Sequence, residues 1–206
     1  PSVVIHGGDF RVVHAAISPD ARLVAMSVFV NTPPTVSDAA TGHRLFSLGK
    51  ATTTVPDVEF SPSGRMIATG SVNGTVTFWN AANGARLASL RVDAGPGSAA
   101  QRQVNQAVFS PDGHRLLVST SNATQAQSRV WNLGTLQPAT PALAGGDASW
   151  SPDGRYVITT TSDGDARIWD AGSGRLRQKL HGPDPIAGPA LLSADGASGL
   201  PRYAVT

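Results

Sequence analysis

Ser151-Pro152-Asp153-Gly154 is the clearest copy of a tetrapeptide that recurs along this chain of 206 residues. The other copies, some of them altered, begin at Ser18, Ser61, Ser110 and Ser193, so successive copies start 43, 49, 41 and 42 residues apart. In a tight turn, Ser suits the first corner, Pro sets φ at the next position, and Gly tolerates the conformation that leaves the turn. Five such turns at a nearly constant spacing predict a repeated structural unit.

Each repeat is predicted to contain four short strands. Apolar runs stand on both sides of the tetrapeptide, and a tight-hairpin dipeptide follows, as in Asp163-Gly164. The next strand ends at Trp79, Trp131 or Trp169 in three of the repeats, and a fourth strand comes after a further turn. Four strands in roughly 40–45 residues, without helical periodicity, indicate an all-β fold of the β-propeller type.

The predicted propeller has four-stranded antiparallel blades, with four full blades plus partial blades at both ends of residues 1–206. The full blades are expected at about residues 9–48, 54–91, 103–143 and 147–181. Residues 188–206 are expected to form a partial blade and residues 2–5 an outer strand. Three explanations stay open for this count: a piece of a larger propeller, a closed ring of five blades, or a ring completed by a second chain.

Three motifs resemble the WD-repeat (WD40) family, in its bacterial type: Phe109-Ser110-Pro111-Asp112-Gly113, Ser162-Asp163-Gly164 and Ile168-Trp169-Asp170. The resemblance implies blades around a central channel, with the first strand of each blade innermost. It also implies structural roles for Trp79, Trp131, Trp169, Asp163 and Gly164. Members of the family often join a His between blades to an Asp of the hairpin. Here the matching His6 and His181 stand before Gly instead of after it, so we expect this polar network to be eroded.

Composition excludes several kinds of chemistry. The chain has no cysteine, which rules out disulfides, thiolate metal sites and cysteine nucleophiles. The five His are scattered, and 16 basic residues against 14 acidic ones give a net charge of only +2. We therefore expect no catalytic residues, no bound metal or cofactor, and no nucleic-acid or membrane partner. A cytoplasmic location is the matching expectation, since proteins of reducing compartments lack disulfides.

Two rows of residues form the candidate partner-binding face. The first row lies four positions before each turn Ser, and the second stands just before each hairpin between the second and third strands. The rows consist of His14, Asp57, Gln106 and Asp147, and of Val30, Val72, Thr124 and Ser162. Both rows are expected near the mouth of the channel, where they form either a binding surface or a hydrated lining. If the surface binds a partner, charge reversal at Asp57 and Asp147 should alter binding and leave folding intact.

The favoured function is a non-catalytic scaffold that holds protein partners or other domains of its own protein, as a sensor, regulatory or assembly module. The alternatives are a small-ligand or catalytic site at the channel mouth and a purely structural module. Arg175, Arg177 and Lys179 alternate along the last strand of the fourth repeat, which indicates the solvated face of an outer strand.

Overall fold

The computed structural model describes residues 12–28, 32–50, 54–92, 102–181, 190–192 and 203–205. In these residues the secondary structure consists of nineteen β-strands. The chain divides into two compact units, Pro1–Ala107 and Val108–Thr206. No helix among the described residues has the length and apolar character needed to cross a bilayer.

The first unit contains two four-stranded antiparallel sheets, in which neighbours in sequence are neighbours in space. Blade one consists of β1 (Val12–Ile17), β2 (Leu23–Val28), β3 (Thr35–Asp38) and β4 (Arg44–Ser47). Blade two consists of β5 (Asp57–Phe60), β6 (Met66–Gly70), β7 (Thr75–Asn80) and β8 (Arg86–Arg91).

Blades three and four follow the same order, and a two-stranded sheet comes after them. Blade three consists of β9 (Gln103–Phe109), which begins in the first unit, β10 (Arg115–Ser121), β11 (Ala126–Asn132), β12 (Gln137–Pro138) and β13 (Leu143–Ala144). Blade four consists of β14 (Asp147–Trp150), β15 (Tyr156–Thr160), β16 (Asp165–Asp170) and β17 (Leu176–His181). The last sheet pairs β18 (Ala190–Leu192) with β19 (Tyr203–Val205).

The predicted fold class is confirmed, because three of the described sheets are four-stranded and antiparallel, as the blades of a β-propeller are, and blade three differs only in a divided fourth strand. Blade three departs from the others in its fourth strand, since β12 and β13 pair with opposite ends of β11. Pro138 and Pro141 have no N–H to donate to a ladder, which is the physical reason for an interrupted strand. The predicted outer strand at residues 2–5 lies outside the described residues.

The Ser-Pro-Asp-Gly turn is held together by its own side chains. In blade four the Ser151 hydroxyl donates to Asp153 Oδ1 at 2.6 Å and accepts from the N–H of Tyr156 at 2.9 Å. The bond from Ser151 keeps the pKa of the Asp153 carboxyl below its ordinary value. Gly154 takes φ +69°, in the left-handed region that favours glycine. The turn therefore starts the second strand of the blade at a defined residue.

Apolar side chains pack between successive blades. In the first unit, Val58 and Phe60 of β5 lie in one buried cluster with Ala25 and Val36 of blade one. In the second unit, Trp150 lies in a buried cluster with residues of β10 and β11, and its indole N–H donates to Val108 O at 3.1 Å. Because each blade buries one face on its neighbour, the blades depend on each other for stability.

The Trp of the third strand is bonded to the second strand in two blades. Trp79 Nε1 donates to Thr69 Oγ1 and Trp169 Nε1 donates to Thr159 Oγ1, each at 2.9 Å. Thr159 Oγ1 also donates to Ala144 O at 2.6 Å. In blade three Val118 stands where the other two blades have Thr, so Trp131, which is 7% exposed, cannot form the equivalent bond to the second strand.

Thr159→Val should destabilise the protein by about 2 kcal/mol, because it keeps the shape and leaves the Trp169 N–H and the Ala144 carbonyl without their partner. Thr160→Val is the matched control, since Thr160 is a neighbouring buried threonine without that indole bond. Urea unfolding followed by tryptophan fluorescence gives both values. Equal unfolding midpoints for the two variants would contradict a stabilising role for the bond.

Candidate protein-binding face

The four residues of the first predicted row lie in different environments. His14 and Asp147 are exposed, Gln106 is half-buried, and the Asp57 side chain is only 4% exposed. The shared position along the strand therefore does not give these residues a shared accessibility.

Asp57 connects three strands of the first unit. Its Oδ2 accepts the backbone N–H of Ala107 at 2.7 Å, and its Oδ1 lies 3.5 Å from Nδ1 of His14. Nδ1 of His14 also lies 3.1 Å from Val58 O. A buried carboxylate with these contacts is part of the interior. The expected accessibility of Asp57 is therefore wrong, and we expect charge reversal there to affect folding, whereas partner binding at this position stays a prediction.

Glu59 is the residue of this site that the sequence analysis missed. It lies two positions after Asp57 on the same strand, so the two side chains share one face of β5. Burial, and then the nearby charge of Asp57, raise the pKa of Glu59 from 4.5 to about 7. Burial also raises the pKa of Asp57, against the effect of His14. The spacing of two residues between Asp57 and Glu59 is the sequence signal that places both carboxyls on one face of the strand.

The second unit brings three predicted residues to one end of its sheets. Asp147 pairs with Thr160 at the start of β14, and the exposed Ser162 stands in the hairpin that follows Thr160. The exposed Thr124 lies in the β10–β11 hairpin, which ends at Ala126. We call Thr124, Asp147 and Ser162 the turn face.

Two glycines allow the hairpins of the turn face to approach each other. Gly145 takes φ +116°, and a Cβ at that position would lie 2.6 Å from Thr160 O. A Cβ on Gly146 would lie 2.7 Å from the Cβ of Ala126. Only residues without a side chain fit between the two blades at this point. The close approach places the β10–β11 hairpin beside the start of β14.

The other two residues of the second predicted row are less accessible or undescribed. Val30 lies outside the described residues. Val72 is half-buried, and its N–H donates to Thr54 O at 3.1 Å, so it is not the fully exposed valine that the sequence suggested.

Blade four has a charge cluster around a buried carboxylate. The Asp165 side chain, 4% exposed, lies 2.6 Å from Lys179 Nζ, 2.7 Å from His181 Nδ1 and 3.5 Å from a terminal nitrogen of Arg167. Arg175, Arg177 and Lys179 are exposed, as predicted for the solvated face of an outer strand, and Lys179 also pairs with Asp165. Arg177 is likewise paired, at 2.9 Å from Asp170 Oδ2. Ion pairs therefore stabilise the outer strand of this blade in addition to its backbone hydrogen bonds.

His181, which the family resemblance would pair with an Asp of the hairpin, contacts a different Asp. His181 reaches Asp165 at the start of β16, whereas Asp163 of the hairpin accepts from Thr161 Oγ1 and from Arg167. Gly164 takes φ +84°, as the tight hairpin requires. The polar network of this blade is thus present with Asp165 as its centre.

An open cleft of about 400 Å³ lies at the opposite end of blade four, and two of its charged residues, Arg115 and Asp170, already have partners. Arg115 donates to Gly154 O at 2.8 Å and lies 4.9 Å from the centre of the Trp150 ring. Asp170 accepts from Arg177 at 2.9 Å. In the described residues, no group of three or more His, Asp or Glu side chains is placed to hold a metal ion. The cleft gives no specific support to a catalytic site.

Asp57→Lys should destabilise the protein by roughly 3 kcal/mol, because it leaves a buried cation beside His14 and removes the acceptor of the Ala107 N–H. Asp147→Lys is the matched control, because Asp147 holds the same position in the repeat and is exposed, and its effect should stay within about 0.5 kcal/mol. Thermal and urea unfolding measure both variants. Similar losses of stability in the two would contradict the structural role assigned to Asp57.

Glu59→Gln should stabilise the protein at pH 8 and change little at pH 4.5. Folded Glu59 keeps its proton up to about pH 7, whereas the unfolded chain releases it near 4.5, so this group makes stability fall as pH rises between these values. Because Gln does not titrate, the variant should lack this loss of stability, which is on the order of 1–2 kcal/mol after allowance for solvent screening.

The melting temperatures of the Glu59→Gln variant and the native chain should be compared from pH 4.5 to 8, with Asp147→Asn as the exposed control. A difference between the variant and the native chain that does not grow with pH would rule out the assigned titration.

The family model described as "WD domain, G-beta repeat" matches residues 41–80 and 143–170. Among curated relatives, the chain is 29% identical over 140 residues to the small ribosomal subunit protein RACK1 of Medicago sativa, with 57% of this chain and 39% of the relative covered. It is 28% identical over 170 residues to telomerase protein component 1 of Rattus norvegicus, with coverage of 82% and 6%. It is 27% identical over 178 residues to eukaryotic translation initiation factor 3 subunit I of Aspergillus oryzae, with coverage of 76% and 49%.

The chain spans less than half the length of each of these three relatives. All three are eukaryotic, so they give no support to the expectation of bacterial-type repeats. The matched segments include the hairpin of blade two and most of blade four, where the bonded Trp79 and Trp169 lie. Residues 41–80 and 143–170 thus match the WD-repeat model and lie in the antiparallel sheets of a β-propeller fold.

Proposed function

We propose that the protein is a non-catalytic WD-repeat scaffold that docks a protein partner through the turn face of its second unit. The observation that carries this proposal is the accessibility of Thr124, Asp147 and Ser162 at one end of blades three and four. Gly145 and Gly146 allow these hairpins to approach each other closely. A rigid surface built from several loops is suited to specific recognition, because little conformational freedom is lost on binding.

The charge of the turn face favours a basic partner. Asp147 is exposed, and the Asp163 side chain beside Ser162 is 56% exposed. Arg167 contacts Asp163 at 3.3 Å but is itself mostly covered. Carboxylates at the rim of an interface steer a cationic partner and add salt dependence to the association rate.

The names of two relatives agree with a role in assemblies. RACK1 is named as a protein of the small ribosomal subunit, and the Aspergillus relative as a subunit of an initiation factor. For this chain we propose a sensor, regulatory or assembly module of a larger protein. Completion of its ring by further blades or by a second chain is part of that proposal. A cytoplasmic location, a bacterial origin and the lack of nucleic-acid or membrane partners also stay predictions.

A capture experiment tests the turn face. The full chain, immobilised at one terminus, should retain a defined set of proteins from an extract of its source organism. The variant Thr124→Trp/Asp147→Arg/Ser162→Trp should lose that set by about tenfold or more, because bulk and opposite charge are placed where the partner docks. Retention should also weaken between about 50 and 300 mM salt.

Leu87→Ser supplies the control variant, since Leu87 is exposed and belongs to the fourth strand of blade two, which contributes no residue to the turn face. It should retain the same proteins as the native chain. Unchanged capture by the triple variant, with normal unfolding behaviour, would refute docking through this face. Turnover of a small molecule by the full chain would refute the non-catalytic role.

A further inference from the structure

Arg129 is a half-buried arginine on β11 of blade three. Its Nε atom is buried and has no hydrogen-bond partner, and among the residues with described positions no ion pair includes its guanidinium. A partly desolvated guanidinium without a counter-ion raises the free energy of the folded chain. The charge of Arg129 is therefore able to gain from an anion that comes from outside the chain.

Blade four contains the same arginine position with its counter-ions in place. Arg167 and Arg129 each stand two residues before the Trp of the third strand of their blade. A terminal nitrogen of Arg167 lies 3.3 Å from Asp163 Oδ2 and 3.5 Å from Asp165 Oδ2. Carboxylates are therefore the groups that satisfy a guanidinium at this position of the repeat.

Blade three has neutral residues at both carboxylate positions. Counted back from the Trp of the third strand, Gln125 stands where blade four has Asp163, and Gln127 stands where it has Asp165. Glutamine carries no charge, so neither residue can form an ion pair with Arg129. Blade three thus keeps the cation of this position and does not supply the matching anions.

Small residues replace the two cations of the blade-four cluster that come from the fourth strand, Lys179 and His181. In the register of the strand pairs, Ala144 takes the place of His181, and the exposed Ala142, two residues earlier, takes the place of Lys179. A methyl group fills much less volume than a lysine side chain, so this substitution leaves room beside Arg129. The position therefore offers one positive charge with space next to it.

We propose that Arg129 is a recognition residue for a carboxylate that a bound peptide segment supplies from an acidic side chain. The carboxylate lies beside the terminal nitrogens of Arg129, as Asp163 and Asp165 lie beside Arg167. A planar guanidinium suits this ligand because it can donate two parallel hydrogen bonds to the two carboxylate oxygens. The site uses no residue of the turn face and does not depend on docking at that surface.

A carboxylate fits this position better than a phosphate group does. A phosphate monoester carries close to two negative charges at neutral pH and is typically bound by a cluster of cations. In the described part of blade three, Arg129 is the one charged residue at the positions of the blade-four cluster, since alanines replace the Lys and the His. Partial burial weakens the screening of this charge by water, which strengthens its attraction for a single carboxylate.

Two peptides that differ in one group test the proposal. Acetyl-Gly-Glu-Gly-amide carries a carboxylate, and acetyl-Gly-Gln-Gly-amide carries a neutral amide of the same shape. In NMR spectra of the full chain with isotope-labelled arginine, the Nε signal of Arg129 is identified by its loss in Arg129→Gln. This signal should respond to the Glu peptide with an affinity about fivefold or more above that for the Gln peptide. Equal responses to the two peptides, or none, would overturn the proposal.

A carboxylate within the chain supplies the competing variant. Gln127→Asp places an acid where blade four has Asp165, so it should weaken the affinity for the Glu peptide by about fivefold or more. Gln127→Asn is the matched neutral control and should bind this peptide as the native chain does. An undiminished affinity in Gln127→Asp would contradict the assigned contact.

Two further measurements separate this site from other roles of Arg129. A larger response to inorganic phosphate than to the Glu peptide, at equal concentration and ionic strength, would overturn the choice of a carboxylate. Arg129→Gln should keep the urea unfolding midpoint of the native chain, and unfolding of this variant would mean that the guanidinium belongs to the chain's own structure. Capture through the turn face is measured separately, so its failure would leave these titrations unaffected.

Discussion

The burial of each four-stranded sheet against its neighbour is the interaction on which the rest of the structure depends. A single blade cannot bury both of its faces, and the cluster that joins Ala25 and Val36 to Val58 and Phe60 forms only when two blades meet. The Ser-Pro-Asp-Gly turns start each second strand at a defined residue, so the apolar positions of successive blades come into register. Hydrogen bonds such as that of the Trp150 indole to Val108 O then fix the alignment.

The same constraint decides what the polar residues can do. Asp57 and Asp147 hold one position in the repeat, yet Asp57 is buried where the N–H of Ala107 and the ring of His14 approach it. Asp147 is exposed beside the hairpin that contains Ser162. Repetition therefore creates equivalent positions, and the neighbouring strand determines whether each becomes a structural ligand or part of an accessible surface.

Much of the fold could be predicted from one sequence, because turn chemistry is local. Ser151, Asp153 and Gly154 satisfy one another within a few residues, and the hairpin at Asp163-Gly164 needs only its own backbone geometry. The site was harder to predict. Asp165 was not predicted as the centre of a charge cluster, because Lys179 and His181 reach it only after β16 and β17 pair. Glu59 was missed because its raised pKa depends on burial, which spacing does not show.

The sequence by itself determined the recurring turns, the short antiparallel strands around them and the apolar character of the faces between blades, since these follow from periodicity and from residues that act on their immediate neighbours. Only the tertiary structure decided that Asp57 is interior, that Asp147 is accessible, and that Ile17 lies open where Phe60 and Trp150 are covered. Accessibility is a property of what packs against a residue, and that partner comes from another strand, blade or chain. Its identity cannot be read from the residue's own position in the repeat.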